Sequence, residues 1–212
     1  MRRHCVIFAR RPQLGIGKRR LAKDIGELPT LRFQRANLRR LLAILGRDRR
    51  WQCWLALSPD SALQSEIIAT LPPNCRVIAQ GTGDLGQRMG RVFRQLPPGP
   101  VVLVGSDIPE IGARHIAEAF SKLGECDAVL GPAGDGGFWL VAMRRIRRFP
   151  GANVQGPFSP VRWSSEFALP DTMAAMRALN MHVGIGATLA DIDNGRDYAR
   201  WQARQMRQAR RG

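Results

Sequence analysis

Short apolar runs alternate along this chain with longer stretches in which apolar residues recur every three or four positions. That alternation restricts the fold more than any other feature of the sequence. His4–Ala9, Trp51–Leu57, Cys75–Ala79 and Val101–Val104 are strand-length runs with almost no polar positions, the signature of strands buried on both faces. Between them, Leu31, Leu38, Leu41, Leu42 and Leu45 predict a helix with Arg35, Arg39 and Arg40 on its other side. Ser61–Leu71 predicts a short helix stopped by Pro72-Pro73, and Gly86–Leu96 one that turns Met89, Val92, Phe93 and Leu96 inward. Ile116, Phe120 and Leu123 mark another. Strands separated by helices of this length imply parallel βαβ units with right-handed crossovers. Asp127–Leu130 and Gly137–Met143 then read as strands around a glycine-rich loop. A helix over Thr172–Leu179, a strand over His182–Ala187 and a terminal helix over Asn194–Arg210 complete the reading. The expected fold class is α/β, one domain over residues 1–212, with residues 196–212 as a basic C-terminal helix.

No apolar run reaches the ~18–20 residues of a transmembrane helix, and the apolar stretch near the N-terminus is too short for a signal-peptide core. Cys5, Cys53, Cys75 and Cys126 are dispersed, without a CxxC pair. Buried free thiols, and a cytoplasmic location, are expected. The formal charge is +16, and all but three of the 33 cations are arginine. Such a surplus nominates polyanions: nucleic acid, anionic membrane or phosphorylated small molecules. The terminal helix places Arg196, Arg200, Arg204, Arg207 and Arg211 three or four apart, a stripe able to follow phosphates. However, the chain carries no known nucleic-acid module, and Tyr198, Trp201 and Met206 on the other side suit docking of the helix. Specific nucleic-acid binding is therefore not the expected function. Trp51, Trp54 and Trp139 fall at strand positions and are expected in the core.

In open α/β sheets, ligands bind beyond the carboxyl ends of the strands. After the first strand comes Arg10-Arg11-Pro12-Gln13-Leu14-Gly15-Ile16-Gly17-Lys18-Arg19-Arg20, in which five cations surround two glycines. Such a loop can cradle a phosphate chain. It is not a Walker A loop, because Pro12 occupies the first glycine position and Arg19 the hydroxyl position. After the Val101–Val104 strand, Gly105-Ser106-Asp107-Ile108-Pro109 sets a carboxylate at a strand end, where it can hold Mg²⁺ or Mn²⁺ or simply cap a turn. Gly131–Phe138 holds four glycines and Asp135, a residue able to bind an acceptor hydroxyl, act as a base or form the turn of a hairpin. Asp191 and Asp193 stand two apart after the last strand, so they share a side if extended. One could be the metal ligand opposite Asp107, or Asp193 could cap the terminal helix. Arg88, just inside the helix after Gly83-Asp84, could reach a ligand.

Taken in order, these segments resemble a bacterial glycosyltransferase-like family described as a domain of unknown function, with radical-SAM/selenodomain-associated transferases as a named branch. The resemblance runs from about Val6 to Tyr198. The family's F-A-K-x-P-x-x-G-x-x-K-T-R-L corresponds to Phe8–Leu21, its G-D-L-G-x-R-M to Gly83–Met89 and its G-[TS]-D-x-P to Gly105–Pro109. Its G-P-A-x-D-G-G-[YF] matches Gly131–Phe138, its W-S matches Trp163-Ser164, and its D-I-D-T-P-E-D is represented by Asp191–Asp197. Arg10 stands for the family's lysine, Arg19 for its threonine, and Asn194-Gly195-Arg196 for T-P-E. The resemblance implies a GT-A fold: a Rossmann-like, mostly parallel sheet with helices on both faces and one antiparallel strand. It also implies a nucleotide-bearing donor, a small-molecule acceptor and a divalent metal. By position, Arg10, Gly15, Lys18, Arg20 and Arg88 would serve the phosphates, and Asp107 with Asp191 or Asp193 the metal. Asp135 would be the base, with Gly136, Gly137, Trp163 and Ser164 around the acceptor. A nucleotide-sugar glycosyltransferase is the leading expectation. A nucleotidyltransferase of the molybdopterin-guanylyltransferase-like kind, which would take a nucleoside triphosphate, is the alternative; a non-catalytic nucleotide-binding or basic nucleic-acid-binding protein is a third class.

Overall fold

The computed structural model describes residues 1–144 and 156–209. Seven strands form one sheet in the order β3-β2-β1-β4-β6-β5-β7. They are β1 (His4–Arg10), β2 (Gln52–Ser58), β3 (Cys75–Ala79), β4 (Val101–Gly105), β5 (Ala128–Pro132), β6 (Phe138–Met143) and β7 (Val183–Ile185). Only β6 runs antiparallel to its neighbours, β4 and β5; all other pairings are parallel. The Rossmann-like, mostly parallel α/β sheet with one reversed strand is the expected architecture.

Helices α1 (Arg19–Ile25), α2 (Glu27–Gly46), α3 (Leu85–Gln95), α4 (Ala113–Lys122), α5 (Ala168–Ala178) and α6 (Gly195–Ala209) surround it. The strand alternation sorts the core into two layers. Cys5 and Ile7 of β1 and Val102 and Val104 of β4 face Leu38, Leu41 and Leu45 of α2 and Ile116 and Phe120 of α4. Val6 and Leu103 point the other way, onto Met89, Val92 and Phe93 of α3 and Met176 of α5. Each buried aliphatic or aromatic side chain contributes about 1.5–3 kcal/mol of burial. The sheet is thus covered on both faces, as the continuous apolar runs require. Trp51, Trp54 and Trp139 are buried, and the four cysteines are buried and free. Among the described residues, no helix is long and apolar enough to cross a membrane.

Besides α1, which the sequence reading does not assign, three elements differ from that reading. Residues 61–71 do not form one α-helix but two 3₁₀ turns, Asp60–Gln64 and Glu66–Thr70. They break at Ser65, which is extended (ψ 156) and turns its hydroxyl onto the Ala62 carbonyl, the competition by which serine interrupts helices. α5 starts at Ala168, since Pro170 is tolerated in a first helical turn. β7 stops at Ile185, and the Ala187 carbonyl instead accepts the indole N–H of Trp139 at 2.9 Å. On α6, Tyr198 and Trp201 pack against Phe33, whereas Met206 is exposed and docks nothing. Arg210, the end expected for this helix, and Arg211 of the stripe lie outside the described residues.

Strand order fixes where a ligand can enter. The chain leaves β1 toward β2 on one side, while β4 pairs with the other side of β1. The loops after β1 and β4 therefore diverge at a topological switch point. Phe8 is in register with Gly105, so Arg10 and Asp107 leave the sheet side by side.

Candidate functional site

Beyond Arg10 the chain turns through Gly15 (φ +73), Gly17 (φ +76) and Lys18 (φ +45, ψ 42) to enter α1. Left-handed backbone at a lysine costs about 1–2 kcal/mol, and what holds it is the side chain. The Lys18 ammonium, 9% exposed, lies 2.5 Å from Asp193 Oδ1 and 3.0 Å from Asp107 Oδ2. Burial alone would discharge it, but the two carboxylates outweigh burial and raise its pKa.

On the opposite wall, Arg88 of α3 donates from Nη1 to Gln80 Oε1 at 2.9 Å. Gln80 is buried at the exit of β3, and its amide donates to the carbonyls of Ala9 (2.9 Å) and Ala56 (2.8 Å). The guanidinium is therefore referenced to the ends of β1 and β2. Asp84 caps α3 by accepting from Gln87 N at 2.8 Å, which sets the first turn that carries Arg88. Burial and then the nearby charge of Arg10 depress the Arg88 pKa. Two guanidiniums facing one cleft in this way favour an anion between them.

Asp135, Asp191 and Asp193 converge: one carboxylate oxygen from each lies within 4.8 Å of the others. The cause is a parallel bridge between Ala133 and Leu189, each two residues ahead of an aspartate. Asp135 Oδ1 also accepts from Gly137 N at 2.9 Å, so the turn role holds as well. Burial, then repulsion from Asp193 and Asp135, lifts the Asp191 carboxyl to about 6 against the pull of Lys18. Asp193 goes the other way: burial opposes it, but its hydrogen bond and ion pair with Lys18 lower its pKa. Three clustered carboxylates, one of them short of compensating charge, fit a hard divalent cation such as Mg²⁺ or Mn²⁺. Asp107 stands apart from the three, across the Lys18 ammonium.

The cations and carboxylates border one open cleft of about 860 Å³. Arg10, Lys18, Arg20, Arg88, Asp107, Asp135, Ser164 and Asp193 all line it. An adjoining cavity of about 350 Å³ shares Asp107, Asp135 and Ser164 and adds Gly137, Trp163 and Asp191. Trp163 stands edge-on to Phe138, 6.2 Å between centroids. Two expected residues line neither cavity. Gly15 faces a separate hollow of about 300 Å³ behind the cradle. Gly136 (φ +85) lies against the Glu166 backbone, which a Cβ would approach to 2.5 Å. Both shape backbone rather than present atoms to the cleft. Gln80 was missed by sequence reasoning; its only signal was a polar residue immediately after an apolar strand.

The sequence profile of a family described as "Uncharacterized protein conserved in bacteria (DUF2064)" matches residues 41–165. None of the curated proteins matches the chain. Among solved structures, the chain is similar to a Desulfovibrio desulfuricans G20 protein provisionally named a nucleotide-diphospho-sugar transferase. That likeness has a TM-score of 0.82 at 27% identity, over 92% of this chain and 84% of that one. The fold is also that of a 4-diphosphocytidyl-2C-methyl-D-erythritol synthase from Anaerococcus prevotii DSM 20548 (TM-score 0.61, 12% identity, 97% and 96% covered). An inositol-1-phosphate CTP transferase from T. maritima shares it too (TM-score 0.56, 11% identity, 92% and 91% covered).

Proposed function

The chain belongs to the DUF2064 family, and from the cleft its fold builds we propose that it is a transferase acting on a nucleotide-bearing donor, a nucleotide sugar in the leading reading. One observation carries this: Arg10, Lys18, Arg20 and Arg88 line one cleft at the switch point with Asp135 and Asp193, and the third carboxylate of the cluster, Asp191, lines the cavity that adjoins it. Arg10, Lys18, Arg20 and Arg88 would hold the donor phosphates, and Asp191 and Asp193 a Mg²⁺ or Mn²⁺ ion beside Asp135. When bound, such an ion neutralises charge that develops on leaving phosphate oxygens. Asp107 fixes Lys18 and so aligns the cradle with the carboxylates.

In glycosyl transfer, an acceptor hydroxyl placed in the adjoining cavity attacks the sugar carbon. The new C–O bond forms as the bond to the phosphate oxygen breaks, and the nucleoside diphosphate leaves with the electron pair. The hydroxyl proton needs a carboxylate that borders both cavities. Asp107 and Asp135 do so, but Asp107 is engaged by an ammonium. Asp135 is therefore the base in this reading, and Gly137, Trp163 and Ser164 shape the acceptor's place. Positioning and neutralisation of the leaving group supply the remaining acceleration.

The number of cations favours a second reading. Six basic side chains, Arg10, Arg11, Lys18, Arg19, Arg20 and Arg88, line the cleft, and of these only Lys18 is ion-paired among the described residues; that surplus suits a triphosphate, as nucleotidyl transfer would need, better than a nucleotide sugar. An acceptor phosphate would then attack the α-phosphorus and expel pyrophosphate, with no base required. A thermal-shift screen of nucleotide sugars and nucleoside triphosphates, each with and without Mg²⁺ or Mn²⁺, decides between them. A metal-dependent shift with a nucleotide sugar supports glycosyl transfer, and one with a triphosphate supports nucleotidyl transfer. No shift with any of them refutes both.

A further inference from the structure

A further pocket, of about 420 Å³, lies between α2 and α6 and shares only Phe33 with the lining of the nucleotide cleft. Three rings in mutual contact build one wall. Phe33 meets Tyr198 edge-on (5.6 Å, 86°) and Trp201 edge-on (5.4 Å, 69°), and Tyr198 and Trp201 lie 5.6 Å apart. The Trp201 indole nitrogen is buried and has no hydrogen-bond partner among the described residues.

The same pocket holds two arginines. Arg40 is half-buried and donates to neutral oxygens only, the Ile111 carbonyl at 2.9 Å and Asn37 Oδ1 at 3.4 Å. Burial depresses its pKa. Arg32 is exposed about two turns further toward the N-terminus of α2, and neither guanidinium has an ion-pair partner among the described residues. The pocket has a firm base, because Asn37 also donates to the Ser106 carbonyl at 2.8 Å. An apolar partner would bury Arg40 further without compensation, so charge complementarity selects a negative occupant.

We propose that this pocket binds a small ligand that combines one planar aromatic ring system with one anionic group. The rings of Tyr198 and Trp201 contact the ligand's ring, and Arg40 and Arg32 hold the anion. The volume suits a ligand of that size, and rings with guanidiniums are the surfaces such a ligand prefers. This site does not depend on the reading of the nucleotide cleft.

The test uses the full chain labelled with ¹⁵N. Its five tryptophans give five indole N–H resonances, and Trp201→Phe identifies the one that matters. The probe is 1-naphthoate, compared with 1-naphthalenemethanol (the ring without the charge) and inorganic phosphate (the charge without the ring). The expected result is a saturable shift of the Trp201 resonance with naphthoate that neither partial probe reproduces at the same concentration. Arg32→Gln should weaken naphthoate binding about fivefold, the upper range for an exposed charge pair, and Arg40→Gln should weaken it more. Arg40 also braces the Ile111 carbonyl; should that variant fail to fold, Arg32→Gln, which breaks no bond among the described residues, still decides. A static Trp201 resonance, an equal response to the alcohol, or unchanged affinity in Arg32→Gln would each overturn the proposal.

Discussion

Replacing Lys18 by methionine separates two tasks that its ammonium could perform. The substitution keeps the length of the side chain and removes its charge. In the free protein that ammonium lies 2.5 Å from Asp193 and 3.0 Å from Asp107, so it occupies the counter-charge position that a divalent ion would share. A doubly charged ion about 5 Å from an ammonium is repelled by about 1.7 kcal/mol in a water-like dielectric and about 6.6 kcal/mol at an effective constant of 20. The partner carboxylates are 38% and 49% exposed, which places this site near the lower figure once solvent screening is included. Lys18→Met should therefore tighten Mn²⁺ binding in the absence of nucleotide roughly tenfold. It should simultaneously weaken nucleotide binding at least about tenfold, since one charge-assisted phosphate contact is worth about 1.5–3 kcal/mol. Stability should fall by less than about 1 kcal/mol, because the orphaned carboxylates reach water. Free Mn²⁺ is followed by electron paramagnetic resonance, nucleotide binding by calorimetry and folding by thermal melting. Mn²⁺ affinity that is unchanged or weaker in a folded variant would refute the argument, because carboxylates in contact with the lysine could not then be the metal site.

Asp191→Asn should lose at least about tenfold in Mn²⁺ affinity and Asp107→Asn much less, because only Asp191 belongs to the three-carboxylate cluster; the reverse order by calorimetry would move the metal to the β4 loop. Without metal, the Asp191 carboxyl titrates near 6, above its unfolded value. The folded state therefore holds the extra proton as pH falls through 6, and the strain of the charged form is felt only above it. Asp191→Asn should thus gain about 1 kcal/mol at pH 8, after discounting for solvent at the half-buried site, and gain nothing at pH 4; equal urea midpoint shifts at both pH values would contradict this. Gln80→Leu removes two hydrogen bonds to sheet carbonyls and one to Arg88, and should cost about 2–3 kcal/mol while weakening nucleotide binding. Gly136→Ala forces a Cβ to 2.5 Å from the Glu166 backbone at φ +85, and should destabilise the fold by about 1–3 kcal/mol in urea unfolding.

The strands were legible in the sequence because a sheet covered on both faces leaves no position for polar residues. Residues 61–71 were less legible, since leucine and isoleucine spacing does not register a serine hydroxyl that captures a backbone carbonyl. The members of the site were legible one loop at a time, as charged residues at strand ends. Their grouping was not. The loops pair Asp107 with Asp191 or Asp193 as metal ligands, yet the chain sets Lys18 between Asp107 and Asp193 and brings Asp135 to Asp191 and Asp193 through pairing remote in sequence. The Ala133–Leu189 bridge has no local signature, whereas the reversed course of β6 was signalled by the Asp-Gly turn between two strands. Gln80 escaped for a related reason: its importance lies in the carbonyls of two other strands.

The arginine surplus, which first suggested polyanions in general, divides once its hydrogen bonds are followed. Arg91 and Arg144 donate to backbone carbonyls of Gln80 and Thr82, and of Leu123 and Gly124, respectively. A guanidinium satisfied by neutral carbonyls braces loops and helix ends without needing an acid, so a chain that uses arginine this way accumulates positive charge with no anionic ligand implied. On α6, Arg204 pairs with Glu110 at 2.7 Å, which withdraws it from the stripe expected to follow phosphates. Arg10 and Arg88 are different. They face each other across a concave surface, close enough for one to depress the pKa of the other, and Arg10 makes no ion pair among the described residues. Repulsion left standing in a cleft is a cost that a bound anion would relieve. That local imbalance favours an anion between Arg10 and Arg88, a place that the net charge of the whole chain could not have located.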